Sequence, residues 1–328
     1  MAVTNRAVRD ALEEAAEHAL RAPSILNTQP WRWRVTDGAL LLYADQTRRV
    51  ASIDPDGRLL TLSCGAALHH ARAALAASGH EVRVDRFPEA TNADLLARIR
   101  TVGQREPTRE DVDVLRSIHR RRTDRRPIAA ATPVPEEVQA DLRRFAEREH
   151  SWLYHLGADQ VTFLSTAATS AAAIEGRAED YRAELESWVR RQRSTGEGIP
   201  ADTVTAQVSR PVRLRDFDPG SETLLRPGAG DDTYATYFIV TTAADDPAEW
   251  LRAGEATSAV WLAATRAGLA MSAMSDVVEV PGARALLRSL LDPPGYPQLA
   301  LRTGLDLQPE LPGTTPRRRP EDVIETDA

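Results

Sequence analysis

Between residues 5 and 22 the apolar positions Val8, Leu12, Ala15, Ala16, Ala19 and Leu20 fall on one face of a 3.6-residue period. With Thr4 or Asn5 as cap and Pro23 just past the end, the pattern predicts an amphipathic helix. The period then changes to two: Trp31, Trp33 and Val35 alternate with Arg32 and Arg34, and Asp37-Gly38 leads into ALLLYAD, a hairpin signature. A helix follows over 58–78 with Gly79 as its stop, then strands at EVRVDRF and LLARIRTV. After QREPTREDVD the pattern restarts with helices near 111–121 and 135–149, a strand at SWLYHL, and helices near 159–173 and 177–193. Residues 194–235 break the rhythm with four prolines and five glycines. Such a span is too long for a passive connector and predicts a lid or binding loop, or else a disordered segment. Strand YATYFIVTTA, helix 247–267, segment LAMSAMS, helix 281–291 and strand PQLALRT precede an Arg-rich tail.

The two parts of this pattern resemble each other. GAALHHARAALAASG (65–79) and GEATSAVWLAATRAG (254–268) carry glycines at the same spacing, and each is followed by a strand ending Arg-Thr, at Arg100-Thr101 and Arg302-Thr303. The chain reads as two related halves.

Composition narrows the chemistry. With 328 residues, 42% of them hydrophobic, the chain can build a large core or two. A single cysteine, Cys64, precludes an internal disulfide, and a reducing cytoplasm is the expected setting. Neither a signal-peptide pattern nor a run of about 18 uncharged apolar residues occurs, so no secretion or membrane span is expected. All 41 basic side chains are arginine. Schiff-base chemistry is thereby excluded, and an anion site must use guanidinium forks, helix termini or backbone amides. The net charge of −7 argues against general binding to nucleic acid or acidic membranes.

Two stretches concentrate polar groups. HRRRTDRRPI (119–128) sets five arginines beside a threonine at a helix-to-loop boundary, a composition suited to a phosphate monoester and equally to a solvated charged face. TTPRRRPEDVI repeats the theme in the tail. The histidine pairs His69-His70 and His150/His155 match no metal-ligand spacing, and Gly-x-Ser-x-Gly, Walker and Gly-x-Gly-x-x-Gly motifs are missing. Cys64 lies in an apolar helical pattern and reads as inert core.

The segment Pro23-Ser24-Ile25-Leu26-Asn27-Thr28-Gln29-Pro30-Trp31 resembles the Pro-Ser-x-x-Asn-x-Gln-Pro-Trp signature of the flavin-dependent nitroreductase family. Arg121-Arg122-Thr123-Asp124-Arg125 resembles that family's Arg-Arg-Ser-x-Arg element. Family members are intertwined dimers with FMN at the interface, each site combining the two motifs from different subunits. The motif order is inverted here. Two fused halves account for it, the first lacking the Arg element and the second lacking the Gln-Pro-Trp loop, with one composite FMN site remaining. This arrangement is similar to the Acg-like subgroup.

The resemblance implies an α+β nitroreductase-like fold, internally duplicated so that one chain mimics the family homodimer, with halves at 1–110 and 111–328 and a candidate lid at 194–235. It puts Arg121 and Thr123 at the FMN phosphate with Arg122 beside them, and Arg125 near the ribityl chain or the flavin pyrimidine edge, where many members have lysine. Pro23, Ser24, Asn27 and Gln29 would contact the flavin from the other half. Met274 and Ser275 would bring backbone next to flavin N5, and Arg317 or Arg318 would complete the phosphate clamp. The implied activity is NADPH- or NADH-dependent reduction of nitroaromatics, quinones or similar small acceptors, the flavin carrying the redox chemistry. Two other readings stand beside it: a protein that sequesters FMN under a lid with little turnover, and an anion- or nucleic-acid-binding module. A monomer would suffice, because the dimer interface is already intramolecular.

Overall fold

The computed structural model describes residues 2–189, 191–217, 225–305, 307–308 and 310–327. The first part of the chain runs α1 (Ala2–Ala19), β1 (Trp31–Thr36), β2 (Ala39–Ala44), α2 (Arg58–Ala77), β3 (His80–Arg86) and β4 (Leu95–Gln104). Gly38, at φ 93°, makes the turn that joins β1 to β2, and the strands pair antiparallel from Trp31↔Ala44 to Thr36↔Ala39. Trp31, Trp33 and Val35 point into the core while Arg32 and Arg34 face out, as the alternation requires.

After α3 (Arg109–Arg120) the order is α4 (Glu136–Arg148), β5 (Trp152–His155), α5 (Ala158–Glu175), α6 (Glu179–Trp188), β6 (Thr236–Thr242), α7 (Pro247–Arg266), β7 (Leu269–Met274), α8 (Asp276–Glu279), α9 (Pro281–Arg288), β8 (Tyr296–Leu305) and β9 (Ile324–Thr326). The two sheets reveal the repeat. The first has the order β3-β4-β2-β1-β9 and the second β7-β8-β6-β5. Without β9 the two orders are the same, the second half inserting α5 and α6 between its first two strands and α8 and α9 between its last two, so the fold is α+β and internally duplicated. Each sheet packs its own apolar core, one around Trp31, Leu40 and Leu68, the other around Phe238, Val240 and Val260.

Helices α2 and α7, 20 residues each, form the seam. They touch backbone to backbone: a Cβ on Gly65 would lie 2.0 Å from the Leu251 carbonyl oxygen, and one on Gly254 1.9 Å from that of Leu62. Both helices are buried along most of their length, so neither shows a polar face.

Two features depart from the sequence reading. Helix α6 stops at Trp188 rather than near 193, because Val189 turns extended (ψ 149°) and bridges to Ile199. The Arg-rich tail is ordered: it crosses from β8 to the first sheet, where β9 pairs parallel with β1 at Trp33↔Ile324. The span 194–235 packs over the loop after α1 through Ile199 and Val204, its residues 218–224 lying outside the described ones. Among the described residues, no helix is long and apolar enough to cross a membrane.

Candidate functional site

Two cavities meet at Thr123, where the halves join. The larger, with about 670 Å³ of free space that includes part of the solvent, is lined by Leu62 and Ala66 of α2, Trp261 of α7, and Ile199 and Phe217 of the 194–235 span. The smaller, about 440 Å³, is walled by Arg21, Arg121, Arg122, Thr123, Thr203 and Arg317. One compartment is apolar with a few polar groups, the other strongly cationic.

The cationic end is built from a turn that α3 delivers. Arg121 leaves the helix with φ −52°, ψ 131°, and the Asp124 N–H donates to the Met271 carbonyl (2.9 Å), seating the turn on β7. Fully buried Arg302 fastens it from β8: Nη2 donates to the carbonyls of Asp124 (2.8 Å) and Arg126 (2.9 Å), Nε to Ser272 Oγ (3.0 Å), and Nη1 to Asp232. The run of five arginines is therefore not a solvated face. Arg126 pairs with Asp124, while Arg121 is buried against Trp261, its guanidinium 5.2 Å from the ring centre.

Arg121 is electrostatically unsatisfied. Its Nε and Nη1 have no partner among the described residues, and Nη2 reaches the Arg21 carbonyl at 3.4 Å. Arg317 also has an unpartnered Nε, and neither guanidinium meets a carboxylate among the described residues. Burial, with Arg317 and Arg122 nearby, pushes Arg121 down to about 9; burial, with Arg21 and Arg122, pushes Arg317 down to about 10. A buried cation without a counter-charge costs several kcal/mol on the order of its desolvation, so the pocket is complementary to an anion. That is the fit expected of a phosphate-bearing cofactor.

The loop after α1 closes the other side. Leu26, Asn27 and Gln29 all sit at positive φ (46°, 55° and 50°), three strained residues in four. Ser24 Oγ accepts from the Gln29 N–H at 3.0 Å, and the Ile25 N–H donates to Ser63 Oγ of α2 at 3.1 Å. Pro23 and Ser24 line the large cavity; Asn27 and Gln29 line neither. Asn27 donates to the carbonyls of Gly198 (3.0 Å) and Pro316 (3.1 Å) and accepts from Arg317 Nη1 (3.1 Å). Gln29 donates to the Gly196 carbonyl (2.8 Å) and accepts from the Arg318 N–H (2.9 Å). Their amides tie loop, lid span and tail together.

The remaining expected positions divide. Arg125 and Ser275 line the large cavity, whereas Met274 is buried behind it on a side pocket. Arg317 faces the cationic compartment; Arg318 turns away toward Asp45 (3.6 Å) and the Asp322 carbonyl (3.0 Å). Sequence reasoning missed Trp261, Arg215 and Phe217, which no motif marks, and Arg21, in the turn just past α1. Among the described residues no cluster of metal-ligating side chains occurs, and Cys64 is buried, its thiol pushed up by burial.

The repeat places a counterpart of this site on the other side of the seam, and there its chemistry differs. Counting from the paired glycines, Ala66, Trp261 and Ser275 of the cavity correspond to Glu255, Arg72 and Arg86. Glu255 takes a two-pronged bond from Arg86 (2.7 and 2.8 Å) and another from Arg72 (2.6 Å), which also reaches Glu149 (2.6 Å). A salt-bridge cluster thus stands where the cavity has alanine and serine, beside an open cleft of about 970 Å³ lined by His69, Arg72, Phe145 and Glu149.

No family model matches the chain. A Mycobacterium tuberculosis protein provisionally named an NAD(P)H nitroreductase is 38% identical to it, over 94% of this chain and 89% of its own. The protein acg of the same organism, also provisionally named an NAD(P)H nitroreductase, is 34% identical over 96% and 95%. An uncharacterized M. tuberculosis protein is 31% identical over 96% and 92%. Among solved structures, a Bacteroides fragilis nitroreductase with bound FMN aligns with a TM-score of 0.39 and 14% identity, covering 61% of this chain and 91% of that one. Identity above 30% along nearly the whole length of acg and its relative makes this chain a member of the nitroreductase family, of the Acg-like kind.

Proposed function

We propose that the protein is an FMN-dependent oxidoreductase that takes electrons from NADPH or NADH and passes them to a small acceptor such as a nitroaromatic or quinone. One observation carries the reading: two guanidiniums with no carboxylate partner among the described residues, buried Arg121 and half-buried Arg317, stand at the end of a largely apolar cavity. The provisional names of the two nitroreductase relatives agree with it.

In this reading Arg121, Arg317 and Thr123 hold the FMN phosphate, with Arg21 and Arg122 adding positive potential. Pro23, Ser24, Arg125 and Ser275 flank the flavin ring, while Asn27 and Gln29 act indirectly by fixing Arg317 and the lid span. The bound flavin supplies hydride acceptance and donation. Arg125, pushed down to about 10 chiefly by burial and then by Arg215, has no ion-pair partner among the described residues and adds positive charge beside the ring. Ile199 and Phe217 exclude water from the cavity. The halves 1–110 and 111–328 contribute one motif each, so a single chain suffices.

The visible spectrum of the purified protein, followed by anaerobic NADPH and then NADH, tests the proposal. Yellow protein bleaching within seconds is expected. Protein that neither carries nor binds FMN refutes it.

A second reading, FMN held under a lid with little turnover, draws on the tethering of 194–217. Gly196, Gly198 and Glu197 are bound to Gln29, Asn27 and the Arg48–Arg191 pair, respectively. Yellow protein that resists both nicotinamides would favour it.

A further inference from the structure

Behind the cavity wall lies a group of acids that the reading above does not use. Arg215 of the lid span is buried with Glu279 of α8, Glu175 at the end of α5, Asp276 at the start of α8 and Tyr181 of α6. Arg215 Nη2 donates to Glu279 Oε2 at 2.6 Å, the same oxygen accepts from Tyr181 Oη at 2.9 Å, and Glu175 Oε1 lies 3.7 Å from Arg215. The set is under-bonded: Arg215 Nε and Nη1, Glu175 Oε1 and Glu279 Oε1 lack partners among the described residues, although these side chains are 6%, 9% and 2% exposed. Three carboxyls share one guanidinium. Burial with so few partners favours the neutral forms of Glu175 and Asp276, so the cluster stores protons.

The store opens on the site. Asp276 lines a side pocket of about 280 Å³ together with Arg125, Arg215, Phe217, Ala273 and Ser275, all five of which also wall the large cavity. We infer that Asp276 is the acid that protonates the acceptor during its reduction, and that Glu175, across Arg215, resupplies it. The inference rests on the oxidoreductase reading.

The chemistry balances. An acceptor that takes a hydride, two electrons with one proton, from the reduced cofactor still needs a second proton. The Asp276 O–H bond breaks with its electron pair left on the carboxylate, and a new O–H bond forms on an acceptor oxygen. Glu175 then returns a proton to Asp276, and solvent restores Glu175, so the net reaction consumes one proton per hydride. Burial, reinforced by Glu279 and opposed by Arg215, pushes Asp276 up to about 6; burial, reinforced by Glu279 and Asp276 against Arg215, pushes Glu175 up to about 7. The other charges in reach are Arg125 on the shared pocket and Asp54 with Arg58, which adjoin Glu279.

The test compares wild-type protein with Asp276→Asn and Asp276→Glu. Infrared titration of the cofactor-free protein should show a protonated carboxyl persisting above the ordinary carboxylate range in wild type and weakened in Asp276→Asn. With FMN bound, reoxidation of the pre-reduced protein by a quinone should slow by about 100-fold or more in Asp276→Asn. The solvent isotope effect of that step should vanish with it, and Asp276→Glu should restore both in part. Retained FMN with an unchanged reoxidation rate, or a slowed rate with no change in pH profile or isotope effect, overturns the role of Asp276 alone. Wild-type protein that binds no FMN overturns the oxidoreductase reading and this one together.

Discussion

Gly65 and Gly254 occupy equivalent places in the repeat and meet at the middle of the α2–α7 seam, each backed by a leucine carbonyl of the other helix, Leu251 and Leu62. Because those two leucines are also equivalent, the contact is symmetric and marks the axis relating the halves. A methyl at either glycine would strike backbone that cannot rotate away, and the helices would have to part. Gly65→Ala and Gly254→Ala should each lose about 3 kcal/mol or more of stability, the upper range for overpacking, as read by chemical denaturation. Gly282, which has open space where a Cβ would go, is the control and should tolerate alanine.

Arg121 separates binding from folding. Replacing it with methionine removes a buried cation that has no counter-charge, so cofactor-free protein should keep or gain thermal stability. The same change should weaken FMN binding by about 10- to 100-fold, the worth of a hydrogen-bonded charge of about 1.5–3 kcal/mol. Fluorescence titration with FMN and melting curves with and without it give both numbers. Equal FMN affinity in the variant would remove Arg121 from the phosphate site.

Arg302 should matter for stability. Arg302→Met leaves Asp232 buried with Arg210 alone and strands the carbonyls of Asp124 and Arg126. A loss of about 3–5 kcal/mol is expected for breaking such a buried pair. Adding Asp232→Asn to the variant should recover part of it in a double-mutant cycle.

The acid cluster gives a pH signature. Glu175 sits above the ordinary carboxyl range, so the folded chain keeps a proton that the unfolded chain releases near pH 4.5, and its contribution to folding is present at low pH and lost as pH rises through about 7. Glu175→Gln does not titrate. Its stability relative to wild type should therefore climb between those pH values. A difference that stays flat across the window would mean that the cluster is ionised in the folded state.

Glu197 holds the lid span through Arg48 and Arg191. Glu197→Gln should speed FMN release by about tenfold, equivalent to about 1.4 kcal/mol, measured by the return of free-flavin fluorescence on dilution. An unchanged release rate would place the exit elsewhere.

Much of this was legible in the chain itself. The period changes gave nearly every helix and strand, because the amphipathic and alternating patterns were strong and Asp37-Gly38 and Gly79 punctuated them. The repeated glycine spacing pointed to the duplication. What the pattern could not convey was long-range use of polar groups. Asn27 and Gln29 look like pocket residues in sequence, yet their amides reach carbonyls some 170 and 290 positions away. Trp261 sits in an alanine-rich helix like any core residue, and nothing local shows that Arg121 will lie on it. Glu175 ends α5 while Asp276 and Glu279 belong to α8, and only the packing of α5 on α8 assembles them. Strand β9 has three residues, too few to register against the polar tail around it.

The salt-bridge cluster at Glu255 has a meaning for how such a chain can change. In a homodimer one gene writes both sides of the seam, so a glutamate at the position of Ala66 and Glu255 would change the chemistry of both cavities or neither. Joining the halves in one reading frame removes that constraint. One side is then free to be rewritten as scaffold while its twin keeps the pocket, and the molecule trades a second site for an independently adjustable frame around the first.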